Sequence, residues 1–92
     1  MEIRQTSRFK KDLKRTLKGR KGPGVEKVLK EVVMPALITG EPLGEKYRDH
    51  ALVGDWIPAR ECHVFPDTLL IYRLDGNYLI LVRIGSHAEL FG

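Results

Sequence analysis

The chain has 92 residues, 42% of them hydrophobic and 30% charged, with a formal net charge of +4. These values fit one ordered domain spanning residues 1–92 with a single thin core, and argue against a disordered tail or a multidomain assembly. The one cysteine, Cys62, excludes an intrachain disulfide and fits a reducing compartment. No apolar run reaches the length of a membrane span of about 18 residues. The charged opening Met1-Glu2-Ile3-Arg4 lacks the apolar stretch of a secretory signal. The expectation is a cytoplasmic protein with no membrane partner.

In chain order, residues 2–5 suit a short strand. Thr6 or Ser7 then offers a helix N-cap, because a hydroxyl there can accept a free first-turn N–H. Phe9, Leu13 and Leu17 recur every four residues, so one helix face is apolar and the remainder is Lys and Arg. Gly19, Gly22, Pro23 and Gly24 break that helix, and Pro23 suits the first turn of a second. Val25, Val28, Leu29, Val32, Val33, Ala36 and Leu37 form the next helical stripe. Pro35 lies inside it and is expected to kink or end the helix near Met34. Residues 59–65, 68–74 and 78–84 read as strands. Pro66-Asp67 and Asp75-Gly76-Asn77 are the turns between them, and short turns make the three strands antiparallel. The predicted fold is α+β in the order β-α-α-β-β-β: two N-terminal helices packed on a small, mainly antiparallel sheet.

Charge is unevenly spread along this frame. Residues 1–30 carry eleven Lys and Arg against three acids, or +8, which leaves −4 for the other 62. A basic N-terminal half points to a polyanionic partner, nucleic acid or acidic protein, although a solvated helix face is the simpler reading of any charge run.

All three histidines, His50, His63 and His87, lie in the other half. Histidine titrates near neutrality and can give and take protons at cellular pH. Strand alternation places Arg60, Cys62 and Val64 on one face and Glu61, His63 and Phe65 on the other. With Cys62 and Val64 under the helices, His63 faces outward. Asp67, four residues on, could tune and orient the His63 ring. Arg83 and Arg73 each end an apolar strand face, where an arginine either snorkels or reaches into a cleft. Gly85 allows a close backbone approach beside Ser86-His87. Trp56 suits a core or interface anchor, and Tyr72 and Tyr78 suit half-buried strand positions. Phe91 is either a lid on the core or a platform on which a base stacks. Taken singly, His50 and His87 also read as ordinary surface residues.

The segments Tyr47-Arg48-Asp49-His50-Ala51-Leu52-Val53-Gly54-Asp55-Trp56, Arg60-Glu61-Cys62-His63-Val64-Phe65-Pro66-Asp67, Leu70-Ile71-Tyr72 and Arg83-Ile84-Gly85-Ser86-His87-Ala88-Glu89-Leu90-Phe91 occur in order and at spacing that resembles the YafQ branch of the RelE/ParE toxin superfamily. The resemblance is sharp over residues 46–92 and architectural over the helices. It implies a toxin of a type II toxin–antitoxin system: a small bacterial endoribonuclease that enters the ribosomal A site, cuts the mRNA there and is held inactive by a cognate antitoxin. Operator DNA would be reached only indirectly, through the antitoxin. The resemblance carries catalytic roles onto His50, His63, Asp67 and His87, and substrate or phosphate contacts onto Arg60, Arg83 and Phe91.

The chemistry is then dictated by RNA itself. A base removes the 2′-OH proton, cations neutralise the phosphorane, and an acid protonates the 5′-oxygen, leaving a 2′,3′-cyclic phosphate. His50 or His63 would be the base, His87 the acid, and Arg83 with Arg60 the phosphate clamp. No metal or other cofactor is required, and none of the histidine spacings is a tight metal pattern. Lys10, Lys11, Lys14 and Arg15 would grip rRNA. The alternative is a non-catalytic member of the superfamily that only binds antitoxin or DNA.

Overall fold

Thr6 sets the first helix in place. Its hydroxyl accepts the Phe9 N–H at 3.0 Å and donates to the Val82 carbonyl at 2.7 Å, so the N-cap also fastens the helix to the last strand. In the computed structural model, which describes residues 1–92, this cap joins strand β1 (Glu2–Gln5) to helix α1 (Ser7–Lys18). Phe9 and Asp12 are buried on the inner face of α1, while Lys10, Lys11 and Lys14 are exposed.

Gly22 makes the turn into the second helix possible. A Cβ there would lie 2.1 Å from the Leu17 carbonyl oxygen, so the two helices meet at a contact that admits only glycine. Helix α2 (Gly22–Val28) runs into a π turn (Leu29–Val33) and then helix α3 (Met34–Thr39). The interruption expected near Met34 therefore takes the form of a π turn rather than an end to the helix. In the wide π turn the Met34 N–H bonds the Leu29 carbonyl, five residues back. Pro35 thus enters as a first-turn residue of α3, where its missing N–H costs little. The rod ends at Gly40, whose φ of 79° is the left-handed stop glycine favours.

Five strands form one sheet in the order β1-β5-β4-β3-β2. They comprise β2 (His50–Ala51), β3 (Arg60–Phe65), β4 (Thr68–Asp75) and β5 (Tyr78–Gly85), with β1 added parallel to β5 and every other pairing antiparallel. The α+β reading holds, with more elements than the expected order: the separate helix α3, short 3-10 turns at Glu45–Tyr47 and Gly54–Trp56, the two-residue β2, and a C-terminal helix α4 (His87–Phe91). The latter starts from a capping box. The Ser86 hydroxyl accepts the Glu89 N–H, and the Glu89 carboxylate accepts the Ser86 N–H.

The main core lies between the helices and the sheet, built on Phe9, Val25, Leu29, Leu70, Tyr72 and Ile84. Tyr72, expected to be half-buried, is 1% exposed. The opposite face is also partly covered. Leu90 of α4 packs on Ala59, Leu69 and Ile71, with Trp56 and Phe91 at the margin. A bulge resets the alternation of β5. Ile71 pairs with Arg83 and Tyr72 with Leu81, so Val82 is an extra residue in that strand. Leu81 and Ile84 then both face the main core although three residues apart.

Candidate active site

Strand alternation determines which side chains can meet. Cys62 and Val64 face the helices, so Glu61 and His63 face the other way, as expected; Phe65 does not join them, because a register shift after His63 turns it back onto the helix-side core beside Gly24. His50 in β2 pairs directly with Glu61, which places it on the same face. The Glu61 carboxylate sits between the two rings: its Oε2 is 3.2 Å from His50 Nε2 and 4.0 Å from His63 Nε2. Glu61 is only 6% exposed, and its Oε1 has no partner at all. A buried carboxylate this poorly satisfied is costly, which marks it as a site residue before any chemistry is assigned.

His50 is engaged at both nitrogens. Nδ1 lies 2.6 Å from the Arg48 carbonyl oxygen and donates to it, while Nε2 lies 3.2 Å from Glu61 Oε2. His63 makes no hydrogen bond, since 4.0 Å is too long for one, and its ring is half-buried with its nitrogens uncommitted.

His87 is the first residue of α4, and its ring lies 5.1 Å from that of Phe91, one turn later, tilted by 46°. Phe91 meets Trp56 edge-on at 5.4 Å. Phe91 is thus both a half-buried cover and an aromatic neighbour of a histidine. The two groups lie at one end of the sheet. His63 pairs with Leu69 and Leu69 with Gly85, two strand spacings or roughly 10 Å across, and His87 comes two residues later.

Asp67 is not the partner of His63. It lies past the end of β3 in an exposed turn and makes no hydrogen bond or ion pair; it lines a polar depression with Arg20, Lys21 and Ser86. Glu61, two residues before His63 on the same strand face, takes that place.

Neither arginine expected to clamp phosphate is free. Arg83 donates to Asp12 from Nε at 2.6 Å and from a terminal nitrogen at 3.1 Å. That carboxylate also accepts from Arg15 at 3.0 Å and from the Ile84 N–H at 3.3 Å. Burial opposes the charge on Asp12, but Arg83, Ile84 and Arg15 outweigh it and hold the carboxyl below its ordinary range. Asp12 in turn raises the Arg83 guanidinium. Arg60 faces the helices with Cys62, held at 3.3 Å by Asp49, which also accepts the Tyr72 hydroxyl at 2.6 Å. The Tyr72 oxygen, then Asp49, raise Arg60 against the effect of burial. Arg15 is also committed: it bridges Asp12 to Glu89 of α4 at 3.0 Å. Burial pushes the Cys62 thiol up to about 12, so it is no nucleophile near neutral pH.

A family profile described as the bacterial toxin YafQ of type II toxin–antitoxin systems matches residues 1–92. The chain belongs to the YafQ toxin family. The mRNA interferase toxin YafQ of Escherichia coli K12 is 36% identical over 91 residues, covering 99% of this chain and 96% of that protein. Among solved structures, YafQ from E. coli BL21(DE3) matches with a TM-score of 0.85 at 38% identity, covering 99% of this chain and 98% of that one. A copper-bound mutant toxin from Helicobacter pylori matches at 0.86 and 40%, covering 99% of each chain. The E. coli DinJ–YafQ complex matches at 0.83 and 39%, covering 99% of this chain and 98% of that one.

Two residues of this YafQ-family chain carry more than sequence reasoning assigned them. Glu61 was legible as sharing a face with His63, but its burial between two rings was not. Asp12 is the lone acid on α1, three residues after Phe9 and so on the same inward face. An acid on an apolar stripe is a signal in itself, although its partner, 71 residues away, leaves no local trace. No three His, Cys, Asp or Glu side chains are grouped closely enough to hold a metal ion.

Proposed function

We propose that this chain is the toxin of a type II toxin–antitoxin system and an endoribonuclease that cuts mRNA in the ribosomal A site by metal-free acid–base chemistry. The observation that carries the reading is the grouping of His50, Glu61 and His63 on one sheet face, with His87 turned toward the same end. The E. coli relative's name as an mRNA interferase supports the substrate, and the DinJ–YafQ complex supports an antitoxin partner. Operator DNA would be met only through that antitoxin, and the site of action is the cytoplasm.

His63 is assigned the base, because both nitrogens of His50 are engaged. It takes the 2′-OH proton, the oxygen attacks phosphorus, and the bond to the 5′-oxygen breaks. His87 protonates that oxygen, giving a 2′,3′-cyclic phosphate and a 5′-hydroxyl. His50 and Glu61 hold the base side in place, and Asp67, beside Ser86, supports the acid side. Phe91, in tilted contact with His87, positions a base. Lys10, Lys11 and Lys14, exposed and free of ion pairs, contact rRNA.

The test is cleavage of mRNA on programmed ribosomes by wild type and by His87→Ala. Wild type should cut, and the variant should not while still binding antitoxin. Equal cleavage by both sinks the acid assignment, and no cleavage by either sinks the activity. Chelation addresses the metal-free step, a point sharpened by the copper-bound H. pylori neighbour: if toxin treated with EDTA and desalted no longer cleaves on ribosomes kept in magnesium, and added copper or zinc restores the activity, the step is overturned.

A further inference from the structure

With Arg83 and Arg60 tied to Asp12 and Asp49, neither is left free to neutralise the phosphate of an RNA-cleaving site. Resting on the endoribonuclease reading, we propose that Arg48, assisted by Lys46, is the phosphate-binding pair of the site and holds a backbone phosphate of the single-stranded mRNA beside the scissile bond. Both residues line a cleft of about 530 Å³ whose wall includes His63, and no carboxylate lines it. Neither enters any of the nine ion pairs of the molecule. The neighbouring acid, Asp49, is already occupied by Arg60 and the Tyr72 hydroxyl.

The backbone at Arg48 supports the assignment independently. Its φ is 48°, the only left-handed non-glycine residue in the chain. A long side chain in that region is strained, and such strain collects at functional sites. The conformation is held at both ends. The Arg48 N–H donates to the Glu45 carbonyl at 3.1 Å, and its own carbonyl accepts His50 Nδ1 at 2.6 Å. The residue that would hold phosphate thus also fixes the ring that faces Glu61. Tyr47 and Phe65 give the cleft half-buried aromatic walls suited to a ribose or a base, and the Lys46 ammonium lies 5.2 Å from the Tyr47 ring centre. Phosphate cations flanked by aromatic surface are the chemistry that tracks single-stranded RNA.

The experiment uses Arg48→Asn, because asparagine accepts the left-handed backbone while removing the guanidinium. A thermal melt matching wild type confirms the fold, and Arg48→Lys and Lys46→Gln serve as companions. On programmed ribosomes, single-turnover cleavage by Arg48→Asn should fall at least ten-fold. Arg48→Lys should recover part of it, and Lys46→Gln should lose less than Arg48→Asn. Replacing the phosphates around the cut one at a time by neutral methylphosphonate should slow wild type at one position by a similar factor, and leave Arg48→Asn unaffected at that position. A rate within two-fold of wild type, or losses that simply multiply at every position, overturns the proposal. Binding to ribosomes carrying a 2′-deoxy-substituted mRNA, which cannot be cut, is read in parallel with the same methylphosphonates. If wild type binds but never cleaves, the activity reading fails, and the same non-additivity in binding still decides the role of Arg48. Weakened binding of Arg48→Asn to ribosomes without mRNA would place the contact on rRNA and refute an mRNA subsite.

Discussion

Removing the Asp12 carboxylate should be among the most damaging single changes to the fold. Asp12 is 3% exposed and accepts four hydrogen bonds, two of them from an Arg83 side chain that is itself 12% exposed. In Asp12→Ala that guanidinium stays in place without its counter-ion, a situation that costs about 3–5 kcal/mol. Arg15, half-exposed, adds little because water can replace its partner. A domain of 92 residues has a total stability of roughly 5–14 kcal/mol at about 0.05–0.15 per residue, so the change removes a large share of it. Urea unfolding followed by circular dichroism reads this as a lower midpoint at unchanged slope. The decisive comparison is the double variant Asp12→Ala/Arg83→Met. Replacing both partners removes the orphaned charge, so much of the loss should return, short of the part owed to the Ile84 N–H. A single-variant cost under about 1 kcal/mol, or a double variant as unstable as the summed singles, would refute the reasoning.

Acid should act through the same network. Asp12 and Glu89 are held below their ordinary values of 3.8 and 4.5, so their contribution is complete above those values and is lost as pH falls through the lower folded ones. Unfolding titrated below about pH 4 should show this loss, and Asp12→Asn should flatten it; an unchanged acid slope counts against the assignment. Glu61→Gln keeps an acceptor for His50 but removes the charge, and should cut mRNA cleavage at least ten-fold with the melting temperature held or raised, since Glu61 Oε1 has no partner to lose. Cleavage at the wild-type rate would show that Glu61 is only structural. Gly22→Ala pushes a Cβ into the Leu17 carbonyl and should cost about 1–3 kcal/mol, seen as a melting temperature lower by at least several degrees. A melt equal to wild type would mean the two helices part at no cost.

Local patterns made much of this fold readable. Phe9, Leu13 and Leu17 defined α1, Asp75-Gly76 defined the last hairpin, and alternation in β3 correctly turned His63 away from the helices. Readings failed where a partner was distant in the chain. Arg83 ends an apolar strand in the sequence, and nothing nearby reveals that Asp12 of α1 claims it. Asp67 looked like the partner of His63 because it is close in number, whereas the strand period favours Glu61. Pro35 signalled a disturbance near Met34 but not its form as a π turn, and the extra residue Val82 breaks the strand period in a way periodic reasoning has no means to foresee. Helix α4 was within reach, since Ser86 and Glu89 spell a capping box, but five residues are too few to show a helical stripe.

The parallel pairing of β1 with β5 has a consequence for how the molecule comes into being. The first strand of the chain can pair only with the last, Glu2 beside Tyr78 and Gln5 beside Leu81, and α1 rests on that same last strand through Thr6 and Asp12. Synthesis runs from the N-terminus, so the opening segments emerge long before the strand that receives them. The nascent chain therefore cannot close its sheet while residues 78–85 are still being made, and contacts of such long sequence separation form slowly. His87 and Phe91 come after that strand. A chain made only as far as β4 therefore lacks the strand that joins β1 and α1 to the sheet, and lacks His87 as well.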